Sequence, residues 1–295
     1  MKRPIRLNRD FLRRAWPNLQ RGCPDPRGLL NEEISAKEAT EIIAKIKING
    51  VFKTTRADRY PRTARLLADS RFSVPPVILD VGASDGSTSL SIMEALRFTR
   101  YYVTDRHIEA RVCLTKKGAF FCDVENNPFM YANRFLVIYN DTNKAIWPMP
   151  AIVRRLFSGF EVSKSENVRA INLMNPALLS RVGEDIRLHK YDIFEPWRFE
   201  KVDLVIAANI LNRSYFPDIK LKAALQNLRG ALKESARLAV IENRSTLEQS
   251  TVFRLHNGRF IIENEVGRGS DIKPLVTSLA APDVDDARSN GEGLS

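Results

Sequence analysis

The chain has 295 residues, 44% of them hydrophobic, enough to bury a full core as one elaborated domain or as a domain with appendages. No stretch approaches the roughly 20 consecutive apolar residues of a membrane-crossing helix, and three scattered cysteines (Cys23, Cys113, Cys122) with three histidines (His107, His189, His256) suggest neither a disulfide framework nor a metal site. The net charge of +11 invites an anionic partner such as nucleic acid, yet the basic residues are spread along the chain and fit a solvated surface equally well.

The densest basic cluster comes first: Lys2, Arg3, Arg6, Arg9, Arg13, Arg14 and Arg21, nearly free of acids. It reads as a transit segment, a contact for an anionic partner or an exposed helix. It lacks the apolar core of a secretory signal, so a reducing, cytoplasmic setting is expected. Residues 31–50 predict a helix. Ser35 and Glu38 form a capping box, Ala39, Ile42, Ile43 and Ile46 make one apolar stripe, and Asn49-Gly50 supplies the stop. A second helix follows Pro61 through Ala68. Pro75-Pro76 punctuates the chain, so residues 1–75 are expected to form a basic, helical N-terminal region ahead of a core spanning 76–265.

The core opens on an apolar run, Val77, Ile78, Leu79 and Val81, that carries Asp80 near its end. A turn of Gly82, Ala83, Ser84, Asp85 and Gly86 follows, and then apolar residues at helical spacing (Leu90, Ile92, Met93, Leu96). This predicts strand, tight loop and helix N-terminus. Glycine lets a ligand approach the backbone, and the free N–H groups of the helix start face that ligand. Tyr101, Tyr102 and Val103 predict a second strand ending at Asp105. In open parallel sheets an acid at that position hydrogen-bonds ribose hydroxyls.

Residues 106–185 exceed what one crossover needs and are expected to be an insertion that shapes a substrate pocket or lid. Within it, Phe135 to Tyr139 and Lys144 to Trp147 predict a hairpin about Asn140–Asn143. Ala151 to Phe160 predicts a short helix with Arg154 and Arg155 opposite its apolar face, and Asn175 to Val182 the end of the crossover helix. Strands are then predicted at Ile186–Tyr191, closing on Asp192 and Ile193, at Val202–Ala207, running into Ala208 and Asn209, and at Leu238–Ile241. The segment from Asp218 predicts an amphipathic helix bearing Leu221, Ala224, Leu225 and Leu228. Thr251–Leu255 and Phe260–Ile262 predict a terminal hairpin around Asn257-Gly258. Residues 266–295 form a C-terminal segment whose tail, from about Ala281, has a disordered composition.

Asp80, Gly82, Ser84 and Gly86 resemble motif I of the class I S-adenosylmethionine-dependent methyltransferases, with serine at the middle glycine. Asp192-Ile193-Phe194 resembles motif III of that family, and Asn209-Ile210-Leu211 with Tyr215-Phe216 resembles motif IV and its following loop. The resemblance covers about Val77–Arg111 and Ile186–Glu265. It implies a Rossmann-like, doubly wound and mostly parallel sheet ending in an antiparallel hairpin. It further implies S-adenosyl-L-methionine as cofactor: Gly82, Ser84 and Gly86 along its methionine portion, Asp80 near its amino group, Asp105 on the ribose, Asp192 and Ile193 at the adenine, and Asn209 beside them. The acceptor it implies is a small molecule or a protein side chain. His107, Asn209 and Tyr215 fall near the predicted crevice, and none is singled out as a catalytic base. An RNA or DNA methyltransferase is the alternative that charge favours, although the Asn/Asp-Pro-Pro-Tyr signature is missing. A silent S-adenosylmethionine-binding module stays open as well. A nicotinamide enzyme is disfavoured, since of Gly-x-Gly-x-x-Gly only the first glycine is present, with Ser84 and Ser87 at the others.

Overall fold

The computed structural model describes residues 16, 19–54, 59–70, 72–142, 147–165, 167–244 and 247–279. In chain order these form β1 (Leu19–Gln20), α1 (Ala36–Ile43), β2 (Lys47–Ile48), β3 (Val51–Phe52), α2 (Pro61–Asp69), β4 (Val77–Val81), α3 (Ser87–Ala95), β5 (Arg100–Asp105), β6 (Glu109–Thr115), β7 (Gly118–Cys122), β8 (Pro128–Ala132) and β9 (Val137–Tyr139). Then come α4 (Met149–Ser158), β10 (Val168–Asn172), α5 (Pro176–Leu179), β11 (Ile186–Lys190), β12 (Val202–Ala208), α6 (Asp218–Ala231), β13 (Leu232–Arg244), β14 (Leu247–His256), β15 (Arg259–Val266) and α7 (Lys273–Thr277). Among the described residues no helix is long and apolar enough to cross a membrane. The chain divides into two compact units. One takes in the described residues up to 54 together with Ser84–Thr88 and His107–Arg181; the other takes in those of 59–83, Ser89–Arg106 and those from Val182 onward.

The first unit is built on an antiparallel sheet in the order β1-β9-β8-β7-β6-β10. Both faces of this sheet are covered. Val112, Phe121, Met130 and Leu173 belong to one apolar cluster, while Cys113, Phe120 and Cys122 pack with Val153 and Phe157 of α4 in another. All five residues of β7 are buried as a result, and the alternation that marks a half-exposed strand is absent there. This is why residues 106–185 read as a loose insertion, although they carry five of the six strands of this sheet. Strand β9 pairs with β1 on one side and on the other with β8, joined through 133–136, where Asn133 Oδ1 accepts from the backbone N–H groups of Phe135 (2.8 Å) and Leu136 (3.1 Å). Most of the expected second strand of the hairpin, 144–147, lies outside the described residues. The expected helix at 151–160 is α4, and the crossover helix expected from Asn175 is the single turn α5.

The helix expected over 31–50 is also shorter. It starts at the expected capping pair rather than at residue 31, with Ser35 Oγ accepting from Glu38 N (3.3 Å) and donating to Glu38 Oε2 (2.8 Å), and α1 stops at Ile43. Asn49 (φ 50°) and Gly50 (φ 83°) both take left-handed dihedrals and turn β2 back onto β3. Asn-Gly acts here as a two-residue hairpin turn rather than as a helix stop.

The second unit carries a seven-stranded sheet in the order β11-β5-β4-β12-β13-β14-β15. Its first five strands run parallel, and the last two form the terminal antiparallel hairpin. Several strands are longer than predicted, and Leu238–Ile241 is the middle of a 13-residue β13, whereas β11 stops at Lys190, one residue short of the expected Tyr191. All five residues of β4 are buried, and α6 lays Leu221, Ala224, Leu225 and Leu228 into the same core, the i, i+3, i+4, i+7 spacing that burial of one helical face requires. Helix α2 belongs to this unit. Its first N–H groups, which have no intrahelical partner, donate to the Glu248 carboxylate of β14 from Arg62 (3.1 Å) and Thr63 (2.5 Å). Most of the basic N-terminal cluster, and the tail from Ala281, lie outside the described residues.

Candidate functional site

The register of the parallel strands brings their carboxyl ends to one edge. Val81 of β4 sits beside Thr104 of β5 and Ala207 of β12, Asp105 beside Lys190 of β11, and Ala208 beside Ile241 of β13. From β4 the order runs outward to β5 and β11 on one side and to β12 and β13 on the other, so the winding reverses between β4 and β12. This is a Rossmann-like sheet. Such sheets bind ligands in the crevice beyond the strand ends at the point of reversal. On that edge of the second unit lie Asp80, Gly82, Asp105, Asp192, Ile193 and Asn209; Ser84 and Gly86 continue the turn after β4 but are grouped with the first unit.

The turn after β4 is left-handed at three places: Gly82 (φ 66°), Ser84 (φ 61°) and Gly86 (φ 80°). Gly82 has a second reason to be glycine, because a Cβ there would meet Ile210 Cβ at 3.0 Å. At Gly86 a Cβ would collide with Leu178. Ser84 therefore keeps the backbone path of the glycine it stands in for, at the roughly 1–2 kcal/mol that a left-handed L-residue costs. Ser84→Gly is expected to leave the stability unchanged or to raise it by up to about 1 kcal/mol, because glycine's greater unfolded-state entropy offsets part of the gain. Ser84→Val is expected to lose about 2 kcal/mol. Urea denaturation of the two variants checks both.

Within the first unit the turn is held by a buried polar network that no sequence motif marks. The Asp85 side chain accepts from Ser87 N (2.9 Å), Ser87 Oγ (2.8 Å) and Thr40 Oγ1 of α1 (2.7 Å). Asn175 Nδ2 donates to Thr40 Oγ1 (2.9 Å) and Ser87 Oγ (3.1 Å), and Asn175 N donates to the Asp85 carbonyl (2.7 Å). The Asp85-to-Ser87 bond is an Asx turn; Thr40 and Asn175 come from segments 45 residues before and 90 after Asp85, so their meeting is a tertiary event.

Asp80 is 2% exposed. Its Oδ2 accepts from Ser89 Oγ (2.7 Å) and Tyr101 Oη (2.9 Å), and its backbone carbonyl from Thr104 Oγ1 (2.9 Å). Burial raises its pKa to about 6; the two hydroxyl bonds pull it down and the charge of Asp105 pushes it further up. Asp105 ends β5. Asp192 lies just beyond β11, where its carboxylate pairs with Arg106 (3.4 Å) and accepts from Phe194 N (3.1 Å). Ile193 is buried among the core side chains.

Asn209 (φ 57°) follows β12. Its Nδ2 donates to the Tyr60 hydroxyl, and its Oδ1 accepts from Asn243 N (3.0 Å) at the end of β13. The structure thus adds Tyr60 and Asn243 to the strand-end edge, two residues that sequence reasoning passed over. Tyr60 stands immediately before α2, far from any motif, and Asn243 lies two residues past the stretch predicted as strand. Of the other residues near the predicted crevice, Tyr215 is 44% exposed. His107 is grouped with the first unit, where its carbonyl accepts from Lys53 Nζ (2.8 Å).

No protein-family model matches the chain, and no curated protein does. Among solved structures it is similar to the N-methyltransferase NodS from Bradyrhizobium japonicum WM9 in complex with S-adenosyl-L-homocysteine, with 13% identity over 70% of this chain and 73% of NodS and a TM-score of 0.33. It is similar to human N-acetylserotonin methyltransferase in complex with SAM, at 14% identity over 71% of this chain and 39% of that one, TM-score 0.33. For the mitomycin 7-O-methyltransferase MmcR the values are 15% identity, 61% and 34% coverage and a TM-score of 0.31. The chain spans about a third of the length of MmcR.

Proposed function

We propose that the protein is an S-adenosylmethionine-dependent methyltransferase acting on a small molecule or a protein side chain. One observation carries this reading. A turn held left-handed at Gly82, Ser84 and Gly86 leaves β4 at the reversal of the sheet, and the neighbouring strand β5 ends on an acid, Asp105. The turn suits close approach of a ligand to the backbone, and Asp105 suits two vicinal hydroxyls. Asp80 takes both its protein hydrogen bonds on Oδ2, so Oδ1 is the atom to receive a ligand amino group. Asp192 and the apolar side of Ile193 suit an adenine amine and ring face. When bound, S-adenosylmethionine supplies an activated methyl group. The chain's own task is then to hold that group in line with a nucleophile and to exclude water.

A nicotinamide cofactor fits less well. The third position of its glycine pattern is Ser87, whose side chain is 3% exposed and already engaged with Asp85, Thr40 and Asn175. Calorimetry separates the readings: S-adenosylhomocysteine is expected to bind and NAD not to. Asp105→Ala is expected to weaken S-adenosylhomocysteine by about 50-fold, the loss of charge-assisted bonds to two hydroxyls, with the melting temperature held. Equal affinity in wild type and variant would remove Asp105 from the site.

A further inference from the structure

On the β12–β13 side of the reversal two buried polar atoms have hydrogen-bonding capacity to spare. Tyr60 is 3% exposed. Its hydroxyl oxygen accepts from Asn209 Nδ2, and among the described residues its own hydrogen has no acceptor. Asn243 Oδ1 is buried with no hydrogen-bond partner. The two residues are joined through one carboxamide, since Asn209 gives its Nδ2 to Tyr60 and takes Asn243 N on its Oδ1. A buried donor and a buried acceptor left unsatisfied each cost free energy, which a ligand able to meet both would recover.

The cofactor reading proposed above leaves this side of the crevice to the second substrate. The acids suited to ribose and adenine, Asp105 and Asp192, lie at the ends of β5 and β11 on one side of β4, whereas Asn209 and Asn243 lie at β12 and β13 on the other. We propose that Tyr60 and Asn243 recognise the methyl acceptor and that this acceptor presents a neutral hydroxyl or amine. Tyr60 donates to its heteroatom, and Asn243 Oδ1 accepts the hydrogen the heteroatom carries. A carboxylate has no hydrogen for Asn243, an ammonium has no lone pair for Tyr60, and a thiol does both poorly. Burial pushes the Tyr60 hydroxyl up to about 12, so it keeps its proton at neutral pH and acts as a donor, not as a base. The Arg59 guanidinium lies 5.4 Å from the Tyr60 ring centroid, a cation over an aromatic face. Aromatic probes are therefore the ones to use.

The test is titration of the full chain, saturated with S-adenosylhomocysteine, with benzyl alcohol, benzyl mercaptan and ethylbenzene, followed by saturation-transfer NMR. Benzyl alcohol is expected to bind at least about tenfold more tightly than the other two. Tyr60→Phe and Asn243→Leu are each expected to erase that preference with the affinity for S-adenosylhomocysteine unchanged. The backbone N–H that Asn243 gives to Asn209 survives its substitution, so Asn243→Leu decides the matter if Tyr60→Phe does not fold. Three probes binding alike, no probe binding, or a preference that outlives both substitutions would each overturn the assignment. If wild-type protein fails to bind S-adenosylhomocysteine, it is the cofactor reading that falls.

Discussion

Gly82→Val should lose binding of S-adenosylhomocysteine by more than about 100-fold and cost about 3 kcal/mol of stability. Two independent penalties add at this residue. The left-handed φ of 66° costs an L-residue about 1–2 kcal/mol, and more for a β-branched one. The new Cβ would also lie 3.0 Å from Ile210 Cβ and Cγ1, forcing the loop after β12 away from the turn after β4. Displacement of either loop reshapes the crevice at the reversal of the sheet. Ile210→Ala in the same background separates the penalties: it removes the contacts with Ile210 Cγ1 and Cδ1 and leaves the one with Cβ, so it should return part of the stability without restoring binding, because the valine methyls still stand where a ligand would approach the backbone. Denaturant unfolding and calorimetry on the single and double variants read the two effects. Affinity that survives Gly82→Val would place the ligand elsewhere.

The second large effect is a pH dependence centred on Asp80. Its pKa is raised from an ordinary 3.8 to about 6 in the fold, so the folded state holds this proton more tightly than the unfolded chain does. The corresponding stability is fully present below about pH 4 and is lost as pH rises through 6. At about 1.4 kcal/mol per unit, the swing attributable to this group is on the order of 3 kcal/mol. Asp80→Asn cannot ionise, and its side-chain oxygen can still accept from Ser89 and Tyr101. The difference in unfolding free energy between wild type and Asp80→Asn should therefore shift by about that amount between pH 4 and pH 7.5, in favour of the asparagine variant at the higher pH. Parallel stability curves would show that the carboxylate is not held neutral by burial. The same group links stability to binding. If Asp80 Oδ1 takes a cationic amino group, ligand affinity should strengthen as pH rises from 5 to 7 in the wild type and stay flat in Asp80→Asn.

Much of the second unit was legible in the chain. Apolar runs ending in Asp105 and Asp192 predict strands whose tips face one edge, the spacing of leucines from Leu221 to Leu228 predicts α6, and the turn around Asn257-Gly258 predicts the terminal hairpin. These are local signals, each fixed by backbone sterics or by the period of one buried face. The first unit was not legible in the same way. Strands β7 to β9 are covered on both sides, so their side chains are apolar without alternation, and β7 carries no pattern to distinguish it from any other apolar stretch. Asn49-Gly50 has one local chemistry that serves either a helix end or a hairpin, and only the pairing of β2 with β3 chooses between them.

The sequence by itself determined the turn after β4, because left-handed dihedrals leave little choice but glycine or a small polar residue, and it determined which strands carry acids at their tips. Tertiary structure alone decided that Thr40 and Asn175 brace Asp85, that Asp80 spends Oδ2 on Ser89 and Tyr101, and that Tyr60 and Asn243 meet at Asn209. Those contacts join residues far apart in the chain, and a side chain's hydrogen-bond partner across such a span depends on where the whole backbone has travelled, which no local pattern encodes.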